Sequence, residues 1–434
     1  MKTIFDPFPR AILNLSAALF LYPGISIGAP SAPDPVFEKP APLTMAELEK
    51  TRIKGVRAIE VKDYAYPGYK GSFKPTPPHA DLNPQKAVII VWGKAAQKFV
   101  FSHEASYCPW MQTPGGLGLC NQFFEGNNGW AELFNNNGRK TRNSFVDIIE
   151  SGPERCWVRW NYFCVNADDD SKPALRGTED YIAYPNGLVW RRLAYESLMP
   201  DKLEGYSWQP IDFFAAIPPG VSWEKLMRQD PQHGDYHVAA VLDAASQEEY
   251  DLFFSAPGPG RQDPGCGHPR RNGDNARLQR IAKSPLGFAM VMPCVGAMPF
   301  IIFGNASGFA KEKSQLVDHS FNDTGGDGWL ETEWDHWPVS WINSQAHTRE
   351  PDSPYPYHIG PMSHYIVAPP LTNGPVDYFV RTKDMDLNRW SEKHVYYTIQ
   401  GTGKDLESIR KLAKQWLQKG QKCANPDSVG RLPW

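Results

Sequence analysis

Aromatic, amide and arginine side chains are concentrated between Glu125 and Asn166. Aromatic faces can stack on sugar rings, and amides and guanidinium groups hydrogen-bond hydroxyls and carboxylates. The segment therefore indicates a carbohydrate ligand. Arg159 and Asn161 are the candidate catalytic residues in it, and the candidate substrate-binding residues are Glu125, Asn127, Asn128, Trp130, Arg142 and Trp157. Tight turns also favour Asn and Gly, so plain turn chemistry explains Asn127 and Asn128 equally well.

The second half of this segment has the pattern of a β-hairpin. Strands 142–150 and 155–165 flank a turn at Ser151–Glu154. An even loop predicts that Val146 lies opposite Arg159 and that Ser144 lies opposite Asn161. One face should then carry Arg142, Ser144, Glu150, Arg159 and Asn161. The other, a core face, should carry Phe145, Ile149, Val158, Trp160 and Tyr162. The polar face fits a concave binding surface, or else a solvated sheet face of the kind common in antiparallel sheets.

A second dense cluster of tryptophan, tyrosine and histidine lies at 331–365. Histidine can act as a base near neutral pH, and tyrosine can do so beside a cation. The candidate catalytic residues here are His336, Tyr357, His358 and His364, and Trp334 and Trp337 are candidates for substrate binding. Any one of these histidines could instead be structural. We expect the hairpin face and this cluster to line one cleft.

Carboxylates between glycines at 323–331 could hold Ca²⁺, although the spacing is not that of an EF-hand and a plain turn fits better. The sequence requires no cofactor.

The N-terminus has the pattern of an export signal. A positively charged start precedes an apolar run that ends in small residues near Ala29. We therefore predict a signal peptide over 1–29, a secreted or periplasmic protein, and no stable membrane insertion beyond that segment. With 45 Lys+Arg against 48 Asp+Glu, the chain lacks the basic excess of a nucleic-acid-binding protein.

Seven cysteines fit an exported protein that contains disulfides. Cys108 and Cys120 close a short loop and form the first candidate pair, and Cys266 with Cys294 form the second. Cys156 and Cys164 should share one strand, which prevents them from bridging each other.

Short strand-like runs separated by turn-rich loops indicate an all-β protein. We predict an antiparallel β-sandwich, similar to a super-sandwich, with long loops over 86–400. A Pro-rich arm with a short helix capped by Thr44 should precede it at 30–85. A C-terminal amphipathic helix, opened by a Thr402–Asp405 box, should follow at 401–434.

The run RNSFVDIIESGPERCWVRWNY, followed by EDYIAYPNG, resembles large secreted β-sandwich proteins among the polysaccharide-degrading enzymes. The resemblance implies a polysaccharide or oligosaccharide substrate, and it covers both lyases and glycoside hydrolases. A lyase acting on uronic acids by β-elimination is the leading expectation, because its cations, amides and bases match the two dense clusters. A hydrolase would use paired carboxyl groups from the set Glu125, Glu150, Glu179, Asp180, Glu333 and Asp335. A non-catalytic carbohydrate-binding protein is the third alternative.

Overall fold

The computed structural model describes residues 40–64, 86–103, 107–121, 125–126, 131–132, 144–166, 169–197, 207–217, 221–254, 270–304, 314–318, 357–367 and 395–419. Within these ranges the chain forms an antiparallel β-sandwich with a C-terminal helix, which confirms the predicted fold class.

Ten strands form the first layer. In spatial order they are β8 (Ser144–Ser151), β9 (Cys156–Asn166), β10 (Asp169–Ala183), β11 (Val189–Ser197), β21 (Val395–Gly403), β18 (Met298–Phe303), β17 (Phe288–Val291), β14 (Tyr236–Asp243), β15 (Glu249–Phe254) and β16 (Arg270–Asn272). The short β13 (Arg228–Gln229) pairs with the start of β14, just after a 3-10 turn at Trp223–Lys225.

Eight strands form the second layer. Their order is β1 (Val56–Val61), β2 (Ala87–Trp92), β3 (Lys98–Ser102), β4 (Pro109–Gln112), β5 (Gly118–Asn121), β12 (Ser207–Ile217), β20 (Tyr357–Val367) and β19 (Ser314–Asp318). Two short strands, β6 (Glu125–Gly126) and β7 (Ala131–Glu132), connect β12 to β9 and so join the layers. Strand β1 lies inside the predicted N-terminal arm, and it continues the sheet beside β2.

The two layers face each other through aromatic rings. Phe99 and Phe101 of β3 contact the ring of Tyr181 on β10, with centroids 5.3 and 5.1 Å away. Trp92 donates its indole N–H to the carbonyl of Tyr184 at 2.7 Å, which ties β2 to the end of β10. These contacts make the space between the layers an ordered aromatic core.

The opposite face of the ten-stranded layer is partly covered by helix α3 (Leu406–Gln418). Ile409, Ala413, Trp416 and Leu417 of the helix pack against apolar side chains from β11, β14, β17, β18 and β21. The predicted apolar stripe is therefore confirmed. The predicted cap is only half right: Asp405 caps the helix and is paired with Ser408, whereas Thr402 belongs to β21 and donates to Gln97.

Two further helices are short. Helix α1 (Met45–Lys50) begins at the capping box of Thr44 and Glu47 that the sequence predicts. Helix α2 (Asn275–Ala282), capped by Asp274, was not predicted. In the part of the chain that the structure describes, no helix is long and apolar enough to cross a membrane.

The register of the β8–β9 hairpin differs from the prediction by one residue. Phe145, not Ser144, lies opposite Asn161, and Asp147, not Val146, lies opposite Arg159. The loop has the expected four residues, but a bulge between Ile148 and Glu150 inserts one extra residue into β8.

This bulge exchanges the faces of most of β8, because a slip of one residue turns every side chain to the opposite face. Ser144 is buried, whereas Phe145 and Ile149, both assigned to the core, are exposed. The faces of β9 are as predicted, with Val158, Trp160 and Tyr162 fully buried.

Gly55 lies just before β1, where the chain packs closely against the β8–β9 turn. Its φ is +67°, and a Cβ atom there would lie 1.7 Å from the carbonyl oxygen of Pro153, which accepts the N–H of Val56. We expect Gly55→Ala to lower the free energy of unfolding by about 2–4 kcal/mol, from left-handed strain plus overpacking. Gly296→Ala is the matched control, because its φ is +83° with no atom within 4 Å of the added Cβ. Equal losses for the two variants in urea unfolding would contradict this packing.

Candidate functional site

Two acidic residues face two arginines across strands β10 and β11. Asp180 lies directly opposite Arg192, and Tyr181 lies opposite Arg191. Because successive side chains of a strand point to opposite faces, Glu179 and Asp180 are directed to different sides of the sheet. Each side therefore receives one carboxylate and one guanidinium group.

On the side facing the second layer, Glu179 forms a closed polar cluster. It accepts from Arg191 Nε at 2.6 Å and from Arg191 Nη2 at 2.7 Å, and also from the hydroxyls of Tyr162 and Tyr181. Burial raises the pKa of Tyr181 well above its usual value, so it stays a neutral donor. Burial by itself would lower the pKa of Arg191, but the attraction of Glu179 outweighs it and the pKa is raised. Both members of the ion pair are buried, so the cluster forms the polar part of the core between the layers.

On the other side, Asp180 accepts hydrogen bonds from three side chains. Arg159 Nε donates at 2.8 Å, Arg192 Nη2 at 2.6 Å and the indole Nε1 of Trp157 at 2.6 Å. Arg159 also lies over the ring of Trp157, with its Cζ 5.2 Å from the ring centroid. Asp180 and Trp157 thus hold the guanidinium group of the partly exposed Arg159 in one orientation.

Arg159, Asp180 and Arg192 belong to a row in which charges alternate across four strands and a tyrosine follows on the fifth. Asp147, Arg159, Asp180, Arg192 and Tyr397 are register partners in succession. We call this row the charge ladder. Asp147 is exposed, the side chain of Arg159 is 23% exposed, and those of Asp180 and Arg192 are 0% exposed.

The buried end of the charge ladder is electrostatically crowded. Burial lowers the pKa of Arg192, and repulsion from Arg159 adds to this, whereas Asp180 opposes both effects. Asp180 is therefore the counter-ion on which both arginines depend.

The next row of the same face carries an aromatic and an amide. Phe145 lies opposite Asn161, which lies opposite Thr178. Thr178 donates its hydroxyl to Asn161 Oδ1 at 2.9 Å, which orients the amide. Phe145 is 56% exposed, a high value for a phenylalanine on a sheet. We call Phe145, Asp147, Arg159, Asn161 and Asp180 the ladder face.

The structure therefore brings together three of the residues predicted for the site. Arg159 and Asn161 lie side by side and half-buried on the ladder face. Trp157 lies beneath Arg159 and is nearly buried. Phe145, Asp147 and Asp180 complete the group, although Phe145 was assigned to the core because the bulge in β8 leaves no clear mark in the sequence.

Three other predicted residues lie on β20 in the second layer. Tyr357 is opposite Ile217, His358 opposite Ala216 and His364 opposite Ile211. Glu125 is opposite Gln209, where β6 joins β12. The remaining predicted site residues lie outside the described residues: Asn127, Asn128, Trp130, Arg142, Trp334, His336 and Trp337, together with the 323–331 calcium candidate. The single cleft shared by the hairpin face and the 331–365 segment stays a prediction.

Two carboxylates considered for a hydrolase cannot act as a pair. Glu179 and Asp180 lie on opposite faces of the sheet, and arginines bind each of them. Glu150 forms an ion pair with Arg155, whose Nε lies 2.9 Å from its Oε2. Among the described residues, no group of three or more His, Cys, Asp or Glu is arranged to hold a metal ion.

A second titratable cluster, which the sequence analysis missed, lies where α3 meets β14 and β15. His237 Nε2 lies 2.9 Å from Asp251 Oδ1, and the histidine ring stacks on Phe253. Asp251 also accepts from Asn272 at 3.1 Å, and Glu249 is bound by Arg410 of α3. The signal was available: Glu249, Asp251 and Phe253 alternate along one strand and so share a face.

The two carboxyl groups of this cluster interact. Burial raises the pKa of Glu249, and the nearby charge of Asp251 raises it further, while Arg410 opposes the shift. Glu249 therefore holds its proton to a higher pH in the native state than in the unfolded chain.

Comparisons with known proteins give little more. No protein-family model matches the sequence, and no curated protein matches it significantly. Among solved structures, a galactose 1-epimerase from Lactobacillus acidophilus NCFM aligns with 80% of this chain and 99% of its own, at 9% identity and a TM-score of 0.32. A likeness this distant carries no inference about the activity of this chain.

The charge ladder predicts a large effect at Asp180. Asp180→Asn removes the counter-ion of two arginines in a buried setting and should lower the free energy of unfolding by about 3–5 kcal/mol. Asp147→Asn removes the exposed carboxylate of the same row and should change stability little. The measurement is urea unfolding of both variants. Similar stabilities would show that Asp180 is not the counter-ion that holds the ladder.

The carboxyl pair predicts a pH dependence. A raised native pKa at Glu249 contributes stability below its usual pKa of 4.5, and this contribution is lost as the pH rises through the native value. From pH 4 upward, the wild type should therefore lose stability relative to Glu249→Gln, which keeps a hydrogen-bonding group but does not titrate. Unfolding free energies of both proteins across this range test the prediction. Parallel profiles would contradict it.

Proposed function

We propose that the ladder face binds an acidic polysaccharide or oligosaccharide. The single observation that carries the proposal is the position of the half-buried Arg159, beside the oriented amide of Asn161 and the exposed ring of Phe145. An aromatic ring, an amide and a planar guanidinium group within two adjacent rows match the apolar face, the hydroxyls and the carboxylate of a uronic acid.

The exposure of Arg159 favours an acidic ligand. The charges in register on this face balance, because Arg159, Arg176 and Arg192 occur with Asp147, Asp180 and Glu196, the register partner of Arg176. Asp180 and Arg192 are fully buried, whereas the side chain of Arg159 is 23% exposed. Arg159 is therefore a cation that a ligand carboxylate can reach.

The rigidity of Arg159 also favours binding. Asp180 and Trp157 fix its guanidinium group before any ligand arrives, so little side-chain entropy is lost on binding. A flexible lysine at this position would have neither the planar fork nor the stacking contact.

The reaction that we propose is β-elimination. A base removes the proton next to the uronic carboxylate, the bond from the neighbouring carbon to the glycosidic oxygen breaks, and an acid protonates the departing oxygen. This leaves a carbon–carbon double bond in the product. Arg159 and Asn161 would neutralise the carboxylate. They lie on the face that is turned away from the second layer, which holds Tyr357, His358 and His364 on β20. His336 is therefore the first candidate for the group that moves the proton, ahead of these three residues. The separation of Glu179 and Asp180 on opposite faces weakens the hydrolase alternative.

The experiment is incubation of the purified protein with acidic and neutral polysaccharides. Ultraviolet absorbance detects unsaturated product, and a second assay detects reducing ends. Both signals together support the lyase, and reducing ends alone support a hydrolase. Retained binding without either signal supports a non-catalytic binding protein. The four variants His336→Ala, Tyr357→Phe, His358→Ala and His364→Ala identify the base, which typically supplies about 10²–10⁴-fold.

Arg159→Lys tests the ligand contact itself. It keeps the charge and loses the planar fork, so affinity for an acidic polysaccharide should fall by about tenfold to a hundredfold. Phe145→Ala should weaken binding of acidic and neutral sugars alike, because it removes a stacking surface. Arg280→Lys is the matched control, because Arg280 of helix α2 forms an ion pair with Glu248, in the turn between β14 and β15. Circular dichroism checks folding, and an unchanged affinity in a folded Arg159→Lys protein would overturn the proposal.

A further inference from the structure

Cys108 and Cys120 are close enough to be connected by a small movement. Their Sγ atoms are 3.8 Å apart, and both side chains are buried. Cys108 directly precedes β4, and Cys120 lies on β5 opposite Trp110. A disulfide needs its two sulfurs about 2.05 Å apart, so the Sγ atoms, now 3.8 Å apart, must approach each other by about 1.8 Å.

Two other described cysteines, Cys156 and Cys294, are deeply buried thiols. Burial raises the pKa of Cys156 far above its usual value, and it raises the pKa of Cys294 to about 12. Cys156 and Cys164 lie eight residues apart on the same strand, so they cannot reach each other. Cys294 Sγ contacts the sulfur of Met227 at 3.9 Å.

We propose that Cys108 and Cys120 are an oxidative modification site, at which a disulfide forms across the β4–β5 hairpin. One cysteine thiolate attacks a disulfide reagent such as oxidised glutathione and releases one glutathione thiolate. The second cysteine then attacks the protein sulfur of the mixed disulfide and releases the second glutathione. The two protein protons pass to the two glutathione thiolates, and two electrons move from the protein to the reagent.

The disulfide would stabilise the β5–β12 pair, which lies next to the strand that carries the predicted catalytic residues His358 and His364. Strand β5 pairs with β12, where Cys120 is opposite Phe214, and β12 pairs with β20, where Ala216 is opposite His358. Strand β12 lies between β5 and β20. A crosslink at Cys120 on β5 therefore restrains the strand that pairs directly with β20. Because both sulfurs are buried, oxidation takes place during folding or local opening of the hairpin.

The test is refolding of the full chain in oxidised glutathione and, separately, in a thiol reductant. Each sample is alkylated under denaturing conditions and mapped by peptide mass spectrometry. We expect a Cys108–Cys120 crosslinked peptide only after oxidation. The melting temperature should rise by about 5 °C on oxidation, and amide hydrogen exchange should slow in β5 and β12 but not in α3.

Cys108→Ser and Cys120→Ser should remove the oxidation-dependent rise, whereas Cys294→Ser, a buried thiol elsewhere, should keep it. The peptide map of the wild type needs no variant, so it decides the question even if a variant fails to fold. Full alkylation of Cys108 and Cys120 after oxidative refolding, or their crosslinking to other cysteines, would overturn the proposal.

Discussion

The double ion pair between β10 and β11 is the interaction on which the described structure depends most. Two consecutive acids, Glu179 and Asp180, face two consecutive arginines, Arg191 and Arg192. The twofold alternation of a strand sends one pair to each side of the sheet. These four residues of two neighbouring strands thereby form both the polar centre of the aromatic core and the buried end of the charge ladder.

The two sides use this charge differently. On the inner side, Tyr162, Tyr181 and Arg191 surround Glu179 in a cluster closed to solvent, next to the rings that join the two layers. Buried polar clusters that are well paired specify one packing arrangement, since removing any member leaves an uncompensated group. On the outer side, the pairing continues through Arg159 toward solvent. Among the described residues of the two clusters, Arg159 on this outer side is the partly exposed charged group.

The sequence allowed the general architecture to be predicted, because short strands, turn-rich loops and an apolar helical stripe are local signals. It also allowed the faces of β9 to be predicted, since Val158, Trp160 and Tyr162 alternate with Arg159 and Asn161. The register of β8 could not be predicted. A bulge changes the pairing without changing the loop length. The nearby Ser151 exchanges hydrogen bonds with the backbone of Ala58 on β1, a contact between distant parts of the chain that local sequence patterns do not report. Helix α2 was missed because its eight residues carry only a short apolar stripe, formed by Leu278, Ile281 and Ala282.

The error in register has a consequence for the site. The predicted polar face of β8 would have placed Ser144 beside Asn161 and left Arg159 opposite an aliphatic side chain. The bulge instead places Phe145 opposite Asn161 and Asp147 opposite Arg159, so an aromatic ring and a carboxylate are added to the same face.

This arrangement also sets the way in which an acidic ligand could reach Arg159. Asp180 is buried and binds two arginines, so displacing it would leave charges unpaired inside the protein. Asp147 is the exposed register neighbour of Arg159, and charge attraction at an exposed position is screened by water. A ligand carboxylate that approaches from solvent therefore need not displace Asp180. Arg159 can donate to the ligand while Asp180 keeps the guanidinium group oriented, which is what a preorganised binding group on a rigid sheet requires.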